Sequence, residues 1–226
     1  MKILGIETSG RSGTISVVED ESELAGTELS ATGRRHARTL VPEIGQLLQH
    51  LNLKLTDLDG ITVSIGPGSF TGLRVGVVCA KTLAYALKKP LIAVDTFEAI
   101  AASQLKIDQS IWVIDDALRG DVYAGKYKLE NGNLISQQQP ALISLEQFRE
   151  ILTAGELVTG PGVTKLKEGL TGLHLGEEQF RSPQAVQIAL IGEQKVQRQE
   201  SDDLWTVEPH YIRRSAAEEK ADAPPV

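Results

Sequence analysis

Ser64-Ile65-Gly66-Pro67-Gly68-Ser69-Phe70-Thr71-Gly72-Leu73-Arg74 is the stretch that decides the fold. Before it, residues 61–65, Ile-Thr-Val-Ser-Ile, are rich in β-branched residues and read as a buried strand. After it, apolar residues recur at helical spacing from 73 to 87, and Lys88, Lys89 and Pro90 end the helix. Strand, glycine-rich turn and helix form half of a βαβ unit. Residues 91–94 supply its second strand, and Asp95 or Thr96 caps a further helix to 104.

Upstream, residues 3–6 and 14–18 read as strands joined by Ser9-Gly10-Arg11-Ser12-Gly13, and residues 23–30 could add a third. From 35 to 51, Leu40, Val41, Ile44, Leu47, Leu48 and Leu51 switch to helical spacing, with Pro42 near the start, where a helix tolerates it. The first lobe therefore reads β-β-β-α-β-α-β-α. The pattern restarts near 107. Strands are expected at 111–114, 122–128 and 134–143, with Glu130-Asn131-Gly132-Asn133 as a hairpin turn. A capping box at Ser144 opens a helix to 152, a short strand covers 157–159, and a helix covers 183–197. The expected division is a first lobe over 1–106, a smaller second lobe over 107–214, and a disordered tail over 215–226.

The totals narrow the chemistry. The 226 residues carry a net charge of −7 and only 4% aromatics, which leaves neither many phosphate contacts nor a base-stacking platform. A single cysteine, Cys79, excludes an internal disulfide and multi-thiolate metal sites. The N-terminus lacks the features of a signal peptide, and no stretch comes close to the run of apolar residues needed to span a bilayer, so a cytoplasmic protein with no membrane contact is expected.

Two features around the opening stretch are candidate sites. A Gly-rich turn ahead of a helix could present backbone N–H groups to an anion through Gly66, Gly68, Ser69, Phe70, Thr71 and Gly72; a tight turn for close packing is the plainer alternative. Gly72, Gly76 and Ala80 then recur every fourth residue, flanked by Val75, Cys79 and Leu83. Two glycines inside a helix cost about 1 kcal/mol each, so close helix approach is expected. With Leu40, Ile44 and Leu47 of the preceding helix, these residues form the expected partner or dimer interface, although packing within the chain would explain the same stripe.

Catalytic groups are harder to find. Asp115 and Asp116 are adjacent, so on a strand they point to opposite faces. Glu7, Glu43 and Asp95 are spaced like the acids of a ribonuclease-H-like nuclease and could hold magnesium, or simply form a solvated rim. The histidines, His36, His50, His174 and His210, have no ligand spacing, and no metal site is expected.

The string from Leu58-Asp59-Gly60 through Gly66-Pro67-Gly68-Ser69-Phe70-Thr71-Gly72-Leu73-Arg74-Val75-Gly76 to Ala80-Lys81 strongly resembles the bacterial TsaB (YeaZ) family, the inactive glycoprotease-like homologues of tRNA threonylcarbamoyladenosine biosynthesis. Residues 3–9, 40–44 and 90–94 support the match, as do Asp116 to Gly125 and Glu208-Pro209-His210-Tyr211-Ile212-Arg213. The resemblance implies an actin-like/sugar-kinase/Hsp70 (ASKHA) α/β fold of two ribonuclease-H-like lobes, the second reduced. It also implies a non-catalytic scaffold. The catalytic paralogue TsaD would pair with its first-lobe helices, and a TsaE-like ATPase would join. The chain would form a homodimer through the same surface when alone, and tRNA would be reached only through the complex. The paralogue's two metal-binding histidines fall by resemblance at Thr96 and Ile100. Metal and ATP are therefore expected in the partners, with no cofactor in this chain. The rival readings are a stand-alone metalloprotease or ATPase of the same fold, or a nuclease.

Overall fold

The computed structural model describes residues 1–29, 36–105, 109–131, 133–166 and 170–213. The expected tail lies outside the described residues, as do Arg34 and Arg35 of the run Arg34, Arg35 and Arg38, read from sequence as a solvated helix start or an RNA-backbone contact. The first sheet contains β1 (Lys2–Glu7), β2 (Thr14–Glu19), β3 (Ser22–Glu28), β4 (Gly60–Gly66) and β5 (Leu91–Asp95) in the order β3-β2-β1-β4-β5. β1 pairs antiparallel with β2 and parallel with β4, which pairs parallel with β5. The second sheet contains β6 (Ser110–Leu118), β7 (Asp121–Glu130), β8 (Asn133–Ser144), β9 (Leu157–Thr159) and β10 (His174–Leu175) in the order β10-β9-β6-β7-β8. Read from β8, this is the same order with the same strand directions. The restart of the sequence pattern is thus a repeated lobe.

Helices cover the first sheet on both faces. α1 (His36–His50) and α2 (Phe70–Leu87) bury Leu4, Ile6, Val17 and Val63 on one face. Pro42 lies inside α1 rather than at its start, where it costs one backbone hydrogen bond. α3 (Thr96–Ala102) is capped by Asp95, whose Oδ1 accepts from the Phe97 and Glu98 N–H groups at 2.8 and 2.9 Å. In the second lobe, α4 (Leu145–Ile151) opens on the expected capping box, with the Gln147 N–H donating to Ser144 Oγ at 3.1 Å. α5 (Val163–Leu166) is a single turn.

The last helix corrects the expected lobe boundary. α6 (Ala185–Gln197) follows the second lobe in the chain but lies on β1, β2, β4 and β5, on the face that α1 and α2 leave open. Small residues make the approach possible. A Cβ on Gly5 would stand 2.3 Å from the Ala185 carbonyl oxygen, and one on Gly192 would stand 1.9 Å from Thr62 Cγ2. The buried Glu193 carboxylate accepts the N–H groups of Asp20 and Glu21 at 2.9 and 2.8 Å, holding the left-handed β2–β3 turn. α6 and the segment through Tyr211 therefore pack with the first lobe, and 107–214 is not one packing unit. α2 differs from expectation in another respect: it is long and apolar enough to cross a bilayer, but here it lies on the sheet, burying Leu73, Gly76, Val77 and Ala80.

Candidate functional site

The glycine-rich stretch is folded against its own chain. Ser69 caps α2, accepting from the Gly72 N–H at 3.3 Å, and its own N–H donates to the Ser9 carbonyl at 2.7 Å. Gly72 lies so close to the Thr8 carbonyl that a Cβ would stand 1.9 Å from its oxygen. One turn on, a Cβ on Gly76 would meet Thr8 Oγ1 at 2.3 Å, and Ala80 is fully buried. The Gly72/Gly76/Ala80 stripe thus fits α2 onto the end of β1, and the expected partner contact at these positions is corrected to packing within the chain. Leu40, Ile44 and Leu47 are likewise buried, at 1%, 3% and 6% exposure, in the core beneath α1.

At Gly66, whose φ is +119°, the C-terminal segment comes close: the His210 N–H donates to the Ile65 carbonyl at 2.7 Å. Phe70 stacks on Tyr211 with ring centres 4.4 Å apart, and the Arg74 guanidinium lies 4.0 Å above the Phe70 ring. Ser69 and Thr71 are exposed, while Gly66 and Gly72 are buried. The candidate anion loop is a packed corner.

What remains open is the outer face of the helices. Leu40, Val41, Arg74, Val75, Val78, Cys79, Thr82 and Leu83 line a groove of about 560 Å³ between α1 and α2. Val41 and Val78 are 61% and 63% exposed, and Tyr85, one turn beyond the groove, is 64% exposed. Of the expected interface residues, Val75, Cys79 and Leu83 face this groove together with Leu40, while the three small residues face the sheet. Burial pushes the Cys79 thiol up to about 11, so it acts as a small apolar surface. The expected set missed Val41, Val78 and Tyr85. The signal was present, because a helix apolar all round must cover two surfaces, and Val75, Val78, Thr82 and Tyr85 trace the second.

The acids do not converge. Glu7 is fully buried, and its Oε1 accepts from the Ser9 N–H, the Ser9 hydroxyl and the Gly10 N–H. Burial pushes its carboxyl up, against those bonds and the nearby Ser64 hydroxyl; Glu7 Oε2 and Ser64 Oγ make no bond of ordinary geometry. Glu43 lines a different groove, between α1 and β3, and Asp95 is occupied by α3 and by the Tyr127 hydroxyl at 3.0 Å. Among the described residues no group of three His, Cys, Asp or Glu side chains could hold a metal ion. Thr96 and Ile100 are 2% and 1% exposed: the Thr96 hydroxyl accepts the Gly66 N–H at 3.2 Å, and Ile100 packs with Phe97, Ile111 and Tyr127. A hydroxyl already engaged and an alkyl side chain do not fit a metal ion.

Two lobes of matching strand order, helices on both faces of the first sheet and a strand–turn–helix corner define an actin-like/sugar-kinase/Hsp70 fold. The YeaZ structure from Pseudomonas aeruginosa superposes with a TM-score of 0.77 at 22% identity, covering 93% of this chain and 99% of that one. The family model for TsaD, tRNA N6-adenosine threonylcarbamoyltransferase, matches residues 23–171. The tRNA threonylcarbamoyladenosine biosynthesis protein TsaB of Bacillus subtilis is 31% identical over 229 residues, 97% of each chain. Its namesake from Escherichia coli is 28% identical over 228 residues, 97% of this chain and 98% of that protein. The chain belongs to the TsaB family, within the wider group the TsaD model describes.

Proposed function

We infer that this chain serves tRNA threonylcarbamoyladenosine biosynthesis as a non-catalytic subunit that holds a TsaD-like paralogue in its working conformation. The observation that carries this reading is the exposed apolar face across α1 and α2, with Val41, Val78 and Tyr85 all above 60% exposure. Exposed apolar side chains on two adjacent helices favour a macromolecular partner over solvent. The relatives' names supply the pathway. The paralogue is the fitting occupant because the TsaD model spans residues 23–171, which include both helices, so a similar pair is expected on its side. Thr96 and Ile100 support a division of labour, since both are committed to packing where the partner is expected to bind metal. A TsaE-like ATPase completes the assembly, a second copy covers the face when the paralogue is absent, and tRNA is reached through the complex in the cytosol. The net charge of −7 suits an indirect role in RNA binding.

Reconstitution tests the reading. TsaD-like and TsaE-like components with threonylcarbamoyl-adenylate and tRNA should modify the adenosine next to the anticodon at least about tenfold faster when this chain is present. Equal rates with and without it would reject the assignment. Turnover by the purified chain alone would restore the stand-alone enzyme reading.

A further inference from the structure

Beyond α6, the chain follows a path from the edge of the first sheet to the second lobe. The Asp202 N–H donates to the Leu91 carbonyl at 2.9 Å, and the Asp202 carboxylate accepts the Ala93 N–H at 2.8 Å, so the segment begins along β5. Leu204 and Val207 pack on the first-lobe core, and Lys81 Nζ donates to the Val207 carbonyl at 2.8 Å. His210 then bonds to the end of β4, and Tyr211 stacks on Phe70 while its hydroxyl accepts from Arg74 Nε at 2.9 Å. Two residues later the chain reaches the other sheet, where the Arg213 guanidinium donates to the Ala117 carbonyl at the end of β6 and to the Asp121 carboxylate at the start of β7.

We propose that residues 202–213 are a strap that sets the angle between the lobes, anchored on the first by His210 and Tyr211 and fastened to the second by Arg213. The anchors suit the task. The first-lobe contacts fall on the strand end and helix start of the glycine-rich corner, where Gly68 and Gly72 pack directly on the backbone of Ser9 and Thr8. The second-lobe contact is a forked donor serving two acceptors on adjacent strands, and its side chain and that of Asp121 are only 19% and 28% exposed. A guanidinium serving two acceptors fixes direction as well as distance, which a lysine cannot reproduce. The strap adds to the Tyr127–Asp95 and Gln104–Thr159 bonds that already join β7 and β9 to α3 and its end. Those ties act beside α3; the strap acts at the β6–β7 turn, so loosening it lets the second lobe pivot about α3.

Spin-label pairs test this on the full chain. With Cys79→Ala as background, labels at Thr27→Cys on β3 and Gln139→Cys on β8 occupy exposed positions in different lobes. Arg213→Ala and, separately, Tyr211→Ala should roughly double the width of the interlobe distance distribution while the circular-dichroism melt remains cooperative. Arg213→Lys should fall between, since one ammonium cannot serve both acceptors. If Arg213→Ala unfolds the chain, the lysine variant and Tyr211→Ala carry the test. A folded Arg213→Ala or Tyr211→Ala variant with the parental distribution would overturn the strap. Labelled chain is diluted with an excess of unlabelled Cys79→Ala chain so that only distances within one copy are read, and no TsaD-like component is present, so this result is separate from the outcome of the reconstitution.

Discussion

Among the described glycines, Gly72 comes closest to another stretch of backbone. Adding one methyl there would place it 1.9 Å from a backbone oxygen that β1 and the Ser69 corner hold in place, so neither side can give way. Gly72→Ala is expected to cost about 2–3 kcal/mol in urea unfolding, with Gly76→Val a similar loss, because overpacking against fixed backbone strains the whole contact. Unchanged unfolding midpoints would refute the packing role. Asp115 gives a second residue-scale prediction. Burial pushes its carboxyl up to about 6 from 3.8, with the Asp116 N–H and Lys165 opposing the rise. The native state therefore binds more protons than the unfolded state between pH 4 and 6, and Asp115's contribution to stability is present at pH 4 and lost as the pH rises towards 6. Removing the group with Asp115→Asn should flatten that decline by up to about 3 kcal/mol relative to the parent. Parallel pH–stability curves for the two proteins would count against it. The role of Gly72 was only half legible in sequence: spacing shows that something approaches the glycine stripe, but a helix has no way of naming its neighbour.

At the scale of the element, α2 separates the two surfaces that its composition runs together. Gly72, Gly76 and Ala80 meet the sheet together with Leu73 and Val77, while Val78, Thr82 and Tyr85 face outward, so a charge placed on the outer face should leave the fold alone. Val78→Lys is expected to stay within about 0.5 kcal/mol of the parent in stability, yet to abolish co-elution with the TsaD-like partner on gel filtration. Retained co-elution would remove this face from the proposed interface. The elements that were legible share one trait, an unbroken period: β1, β4, β9 and α2 fall within a few residues of their expected bounds. The single-turn α5 and the two-residue β10 are too short to carry a period at all. A further signal lies in plain sight. Gly160-Pro161-Gly162 follows β9 as Gly66-Pro67-Gly68 follows β4, with φ of +107° at Gly160 against +119° at Gly66. In both lobes the turn presses on the strand at the centre of the sheet or the loop just beyond it: Gly160 on Ile114, Gly68 on Ser9. That tripeptide marks the lobe repeat more sharply than the strand pattern does.

For the whole molecule, lobe membership does not follow chain order. The apolar face of the first sheet that α6 covers includes Ile3, Val18 and Ala189 of α6 itself in one cluster, and Ile92, Val94 and Ile188 in another. A fragment of residues 1–106 leaves that face bare, and it should be aggregation-prone and bind an apolar dye, whereas adding residues 183–213 as a second peptide should restore a cooperative melt. A soluble, cooperatively melting 1–106 fragment would contradict this. Sequence could not reveal the arrangement, because the small residues Ala185, Ala189 and Gly192 say that α6 packs closely without saying on which sheet. The same return of the chain lays Asp202 beside β5, and its backbone and carboxylate take up the Leu91 carbonyl and the Ala93 amide. Ribbon-like growth of copies through this sheet needs both margins free to recruit, and on the β5 side those groups are already spent. A strand added on that margin would meet Asp202 first, so recruitment of another copy through this sheet falls to the β3 side.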